Sequence, residues 1–309
     1  MLAQQAIFTS AQTGQGDGYQ LVARSPGLGN DDARELSIWC PSHDALLEPE
    51  LVPISVNFHP LPSGAYCVSR TTQAGGEYSG RAGPRLHTHC LVVPPELFAR
   101  FANNAFDILR AAVAGGLVRP GDRRNEGLKP ARLVGRARAV DRTQLTRIVR
   151  LHGAAWLAAA LDAGVTRPRL GIVCSPHTER IMRGLVACLP VACRPKFSFS
   201  TGLRYSLRRP FRWIAVARDP ARQRHLHSQY DVTTVVAPPG ETTARPPACG
   251  WARFVAAAAQ AGGLTRLEAK IQNSPAGLTI EGLDRFGQEC LRELEPAETA
   301  ASRGPIDAR

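Results

Sequence analysis

The change of hydrophobic period near residue 94 constrains this chain most. The run "LHTHCLVV" over 86–93 has strand length and ends in unbroken apolar residues, and "PPELFARFANNAFDILRAAVAGG" follows it directly. In that second stretch Leu97, Phe98, Phe101, Ile108, Leu109 and Ala112 fall on one face at helical spacing. Pro95 suits a first helical turn, Glu96 favours its positive dipole end, and Gly115 and Gly116 supply a stop. The pattern predicts a strand and then one helix over 95–114, whose apolar stripe docks onto whatever strands precede it.

Upstream, "QQAIFTS" and "YQLVARS" read as short strands joined through "AQTGQGDG", and "PISVNFHPLPSGAYCVSRTTQA" reads as two more with a Pro/Gly turn. Downstream, "GGLVRPGDRRNEGLKPARLVG" is rich in Gly, Pro and charge. A helix is expected from about 142 to 163, with Asp141 and Gln144 at capping-box spacing and Gly164 as its stop. "RPRLGIVCS", "KFSFST", "FRWIAVA" and "DVTTVVA" are strands, Ser175 and Pro176 open a helix running to Cys188, "APPGETTARPPACG" is a loop, and "WARFVAAAAQAGG" is a helix. The fold class is therefore α+β. A β-rich domain closed by one helix covers 1–114, a linker 115–135, a mixed α/β middle domain 136–294, and a disordered tail 295–309.

At 309 residues and 44% hydrophobic content the chain has enough apolar material for a core without metal or disulfide staples. Its formal charge of +12 raises the question of a polyanion partner. Lysine occurs only at Lys129, Lys196 and Lys270, so nearly all that charge is arginine, and it is dispersed rather than gathered into one basic arm. Nucleic-acid binding is thus not the favoured expectation. The eight cysteines show no Cys-x-x-Cys, the N-terminus lacks a signal-type apolar region, and no apolar run approaches membrane-spanning length. A cytoplasmic protein with no membrane association is expected.

Motifs that carry chemistry fall short of complete sites. His87 and His89 sit at i and i+2, on one face of a strand, which suits chelation. A catalytic metal site needs a third protein ligand, and His59 and Glu77 are available only at undiagnostic spacing. The pair His225 and His227, near Tyr230, lies in a polar, arginine-rich stretch expected to be a surface helix or loop. Glycines 14, 16 and 18 lack the strand-to-helix setting of a phosphate loop and suit a β-hairpin connection. His152 falls on the apolar side of its helix, and Cys174-Ser175 occupies a strand-to-helix turn without a nucleophile-elbow pattern. No motif calls for a cofactor.

Three stretches, "QQAIFTSAQTGQGDGYQLVARSPGL", "SGRAGPRLHTHCLVV" and "LPVACRPKFSFSTGLRY", together resemble the bacterial GTPase-associated protein 1 family, the first two its N-terminal and the third its middle domain. Gly80, Arg81 and Gly83 match that family's Gly-Arg-x-Gly, and His89 matches its histidine before the apolar strand, whereas His87 and Pro84 depart from it. The resemblance implies a non-enzymatic component of GTPase-centred systems, acting in regulation or biological conflict, with a protein partner, a GTPase encoded nearby. Arg81, Arg85 and His89 are then candidate binding residues, His89 serving strand architecture or a contact surface, and His87 is an incidental surface residue. The alternative is a metal-dependent hydrolase or nuclease using His87 and His89.

Overall fold

The computed structural model describes residues 1–13, 16–77, 83–118, 127–237, 246–260 and 262–294. Five long strands form an antiparallel platform: β1 (Gln4–Thr13), β2 (Gly16–Arg24), β3 (Ile54–Pro60), β4 (Tyr66–Gly76) and β5 (Pro84–Val93). Their order is β2-β1-β5-β4-β3. Four shorter strands extend the same sheet in the order β7-β8-β6-β9: β6 (Arg169–Val173), β7 (Phe199–Ser200), β8 (Trp213–Val216) and β9 (Val232–Val235). These four run parallel to one another, and β7 joins the platform by pairing antiparallel with β3, Phe58 opposite Phe199 and Asn57 opposite Ser200.

That joint is chemically explicit. Asn57 Oδ1 accepts from Ser55 Oγ and from Ser200 Oγ, each at 2.7 Å, in a region closed to solvent. On the opposite face of the sheet Phe199 packs against Phe58 and Phe106, ring centroids 5.7 and 4.7 Å apart. Burial of each of these aromatic side chains contributes on the order of 2 kcal/mol.

One face of the sheet carries most of the helices. The helix expected over 95–114 is two, α2 (Pro95–Arg100) and α3 (Ala105–Ala114), with α1 (Asn30–Trp39) preceding them in the chain. The break has a local cause: Ala102 and Asn103 adopt positive φ, and Asn104 caps α3 by accepting from the Phe106 N–H. Both pieces still bury the expected stripe against the strands. The next helix also divides. α4 (Arg142–His152) and α5 (Ala154–Thr166) meet at a bend of 105°, where Gly153 has a φ of 82°. Asp141 caps α4 through the Gln144 N–H at 3.0 Å, and α5 runs on past Gly164. The remaining helices are α6 (Thr178–Ala187), α7 (Pro220–Tyr230), α8 (Gly250–Gln260), α9 (Leu264–Gln272) and α10 (Leu283–Arg292).

The main core joins both halves, from Val56, Phe58 and Leu91 to Trp213, Trp251 and Leu283. Arg194 is buried inside it and donates to the carbonyls of Leu189, Ala102, Ala139 and Ala187, tying the break between α2 and α3 to the end of α6. Desolvation lowers its pKa to about 10. The stretch 115–135, expected as a linker, is packed where it is described: Leu128, Ala131 and Leu133 are buried, and Ala131 exchanges backbone hydrogen bonds with Ala3. Residues 119–126 of that stretch, the loop residues 238–245 and the tail 295–309 lie outside the described residues. All eight cysteines are buried and unbridged. Among the described residues no single helix is long and apolar enough to cross a membrane.

Candidate functional site

On β5 the alternation of a strand separates two environments. His87 and His89 share the face of Leu91 and Val93; His87 registers with Thr72 on β4 and Thr9 on β1, and His89 with Arg70 on β4 and Ile7 on β1. His87, expected at the surface, is buried, and so is His89. His89 Nε2 meets Gln5 Oε1 at 2.9 Å, and Gln5 Nε2 donates to the Lys129 carbonyl at 2.7 Å. Gln5 thereby links His89 to the 127–133 stretch. His89 is thus buried within the strand pair, with little of its side chain open as a contact surface.

A metal reading of the pair finds no third ligand in place. His59 lies on the opposite face of the sheet, because it registers with Cys67, which registers with Val92. Glu77 is held elsewhere, accepting from Tyr19 Oη at 2.6 Å and Ser10 Oγ at 2.7 Å. Burial opposes ionisation of Glu77, yet those two hydrogen bonds and the charges of His43 and Arg85 keep its carboxyl below the usual range. Among the described residues no group of three or more His, Cys, Asp or Glu is arranged to hold a metal ion.

The other sequence candidates resolve as structural features. His225 and His227 lie on α7, which buries none of its residues. Gly16 and Gly18 adopt positive φ in the β1–β2 hairpin, while residue 14 is outside the described residues. His152 is buried with its ring 4.9 Å from Trp156. Burial, with the nearby Glu48 charge, pushes the Cys174 thiol to about 12, the reverse of what a nucleophile needs. Ser175 Oγ closes a turn by accepting from the His177 N–H, and α6 starts later than expected, at Thr178.

The second face of β5 leads to a cleft. Tyr19 Oη accepts from the Leu86 N–H at 3.0 Å as well as donating to Glu77; burial and the Glu77 bond push its phenol well up. Tyr19 and Phe8 form one wall of a cavity of about 850 Å³, which α1 and residues 42–45 border on one side and residues 204–209 on the other. Among the described residues four arginines line it: Arg34, Arg204, Arg208 and Arg209. Arg204 pairs with Asp44 at 2.6 Å, and Arg34 approaches Asp31 at 3.7 Å. Desolvation lowers the pKa of Arg209, whose Nε has no hydrogen-bond partner, and Arg208 is exposed without an ion pair among the described residues. Two large apolar side chains stand open there, Ile38 in the cleft at 44% exposure and Leu207 beside it at 67%. Arginine is among the residue types enriched at protein interfaces.

Of the sequence-predicted binding residues, Arg85 lies near this cleft. Its Nε donates to the Ala74 carbonyl at 3.1 Å, and a Cβ at the neighbouring Gly83 would stand 3.4 Å from the cleft residue His43. Arg81 is outside the described residues. Below the cleft floor Cys40 Sγ is 3.5 Å from Cys90 Sγ, and Cys67 lies beside them. Hydrogen bonding to Cys90 and burial hold the Cys40 thiol well above its ordinary value, and burial does the same for Cys67. No pattern in the sequence announced the cleft: its walls are 160 residues apart at the Arg204–Asp44 pair.

Residues 2–122 match the family model described as GTPase-associated protein 1, N-terminal domain type 2. No curated protein matches the chain.

Proposed function

We propose, from the match of residues 2–122 to the GTPase-associated protein 1 N-terminal domain model, that the chain is a non-enzymatic adaptor of a bacterial GTPase-centred system, regulatory or conflict-related, working in the cytoplasm. Its partner in this reading is a GTPase encoded in the same gene neighbourhood. The observation that supports it is the cleft that α1 and residues 204–209 border, where Arg34, Arg204, Arg208 and Arg209 surround the exposed Ile38 and Leu207.

Arginine suits such a surface, since its planar guanidinium pairs with a carboxylate in bidentate fashion and its stem packs on apolar groups. Ile38 and Leu207 supply exposed apolar area. Arg85 extends the same end of the sheet, and Arg81 is proposed as its companion.

Isothermal titration against the neighbouring GTPase, loaded in turn with GDP and with a non-hydrolysable GTP analogue, tests the reading. Binding in at least one nucleotide state, weakening as salt rises, is the expected result. Absence of binding heat in both states rules out the GTPase as partner. Unchanged binding by an Arg34→Glu/Arg208→Glu variant rules out the cleft.

A further inference from the structure

A second cationic surface stands on the helical side of the sheet. α4 buries Leu145, Ile148 and His152, and turns Arg142, Thr143, Thr146, Arg147 and Arg150 outward. With Arg180 from α6 these residues line a groove of about 600 Å³. A second groove of about 470 Å³ shares Arg142 and Thr143 and continues along Arg136, Arg138 and Arg110. Among the described residues seven arginines, from three helices and the 136–138 segment, thus follow one track. Arg142 pairs with Glu268 at 2.5 Å and Arg110 with Asp107 at 2.9 Å. Arg136, Arg138, Arg147, Arg150 and Arg180 have no ion pair among the described residues.

We propose that this arginine track binds an acidic segment of a protein partner, at a place separate from the cleft under α1. The arginines on α4 span eight residues, about 12 Å at the helical rise, which is the reach of roughly four residues of extended chain. Carboxylates on alternate residues of such a segment meet successive guanidinium groups, and Thr143 and Thr146 add hydroxyl donors between them. Leu151, Val140 and Ala137 give the floor apolar contact.

A single-stranded nucleic acid is the competing occupant, and the lining disfavours it. Among the described residues neither groove has an aromatic side chain on which bases stack. Asp107 and Asp141 also stand in the second groove, where a continuous phosphate chain would meet them. Spaced carboxylates avoid that repulsion.

Fluorescence anisotropy with the intact chain and a labelled short peptide of alternating Glu and Ser tests the proposal, beside a length-matched Lys and Ser peptide and a thymidine oligonucleotide. The Glu peptide is expected to bind with affinity that falls as salt rises, and the Lys peptide not to bind. The oligonucleotide is expected to bind more weakly than the Glu peptide. An Arg147→Glu/Arg150→Glu variant is expected to lose about tenfold or more in affinity, a change of about 1.4 kcal/mol. Both positions are exposed, so circular dichroism of the variant should match the parent. The Arg34→Glu/Arg208→Glu cleft variant is expected to keep peptide binding, which separates this surface from the one proposed for the GTPase. No binding of the Glu peptide, equal binding by the α4 variant, or tighter binding of the oligonucleotide overturns the proposal.

Discussion

His59 offers a quantitative test of the packing beneath α1. Its ring stacks on Trp39 at 4.3 Å with planes 7° apart and meets Phe211 edge-on, it is 2% exposed, and neither ring nitrogen has a hydrogen-bond partner among the described residues. Desolvation lowers its pKa from 6.5 to about 3. The unfolded chain takes up a proton at this residue near pH 6.5 while the folded chain stays neutral. Stability is therefore fully present above that pH and lost as pH falls towards the folded value. Between the two pKa values each fall of one pH unit costs about 1.36 kcal/mol, so between pH 7 and pH 5 this one residue removes about 2 kcal/mol.

His59→Phe keeps the stack on Trp39 and removes the proton. Relief of the two unpartnered nitrogens, about 1 to 3 kcal/mol, and the crowding of a larger ring, of similar size, oppose each other and do not depend on pH. The measurable quantity is the pH difference. Urea unfolding of parent and variant at pH 7 and pH 5 should show the loss of stability shrinking by about 2 kcal/mol in the variant, all other titrations cancelling. An equal pH dependence in the two proteins refutes the desolvated, unpartnered imidazole.

Arg194→Met should cost about 3 to 5 kcal/mol by chemical denaturation, because four carbonyls in the core lose their donor; a cost below about 1 kcal/mol contradicts the role given to that side chain. Gly287→Ala should destabilise by about 1 to 3 kcal/mol or more, since a Cβ there would crowd the Trp251 backbone nitrogen where α8 crosses α10, and an unchanged melting temperature would show that the crossing yields. For the division between 1–114 and 136–294, we propose a change of chain connection within one sheet: a protease site inserted between residues 118 and 127 should be cut without separating the halves on size exclusion, and separation would mean that the β3–β7 joint is weak.

The strand runs were legible because alternation and strand-length apolar runs are local signals. α1 was not, because it buries only Asp32, Ala33 and Leu36, too thin a stripe to show a period. The division of 95–114 turned on two adjacent asparagines inside a strong apolar stripe, which the stripe masks. The single sheet was hidden for another reason: its joint uses a strand of two residues, Phe199–Ser200, paired with one more than 140 positions earlier. His87 reads as a surface residue and His89 as strand architecture or a contact surface; both are buried, and the contact from His89 through Gln5 to the Lys129 carbonyl joins positions 84 and 124 residues apart, which no local pattern reveals. The cleft and the arginine track depend on such long-range placement, so composition showed the arginine excess without its location.

Hydrogen exchange of the chain with and without the neighbouring GTPase tests the proposed adaptor role most directly, since it reads both binding and place. Slowed exchange is predicted in residues 34–45 and 204–209 and at the start of β5 when the GTPase is present, with β6 and α5 unchanged. A GTPase that leaves every amide unchanged, or that protects only segments away from the cleft, contradicts that role.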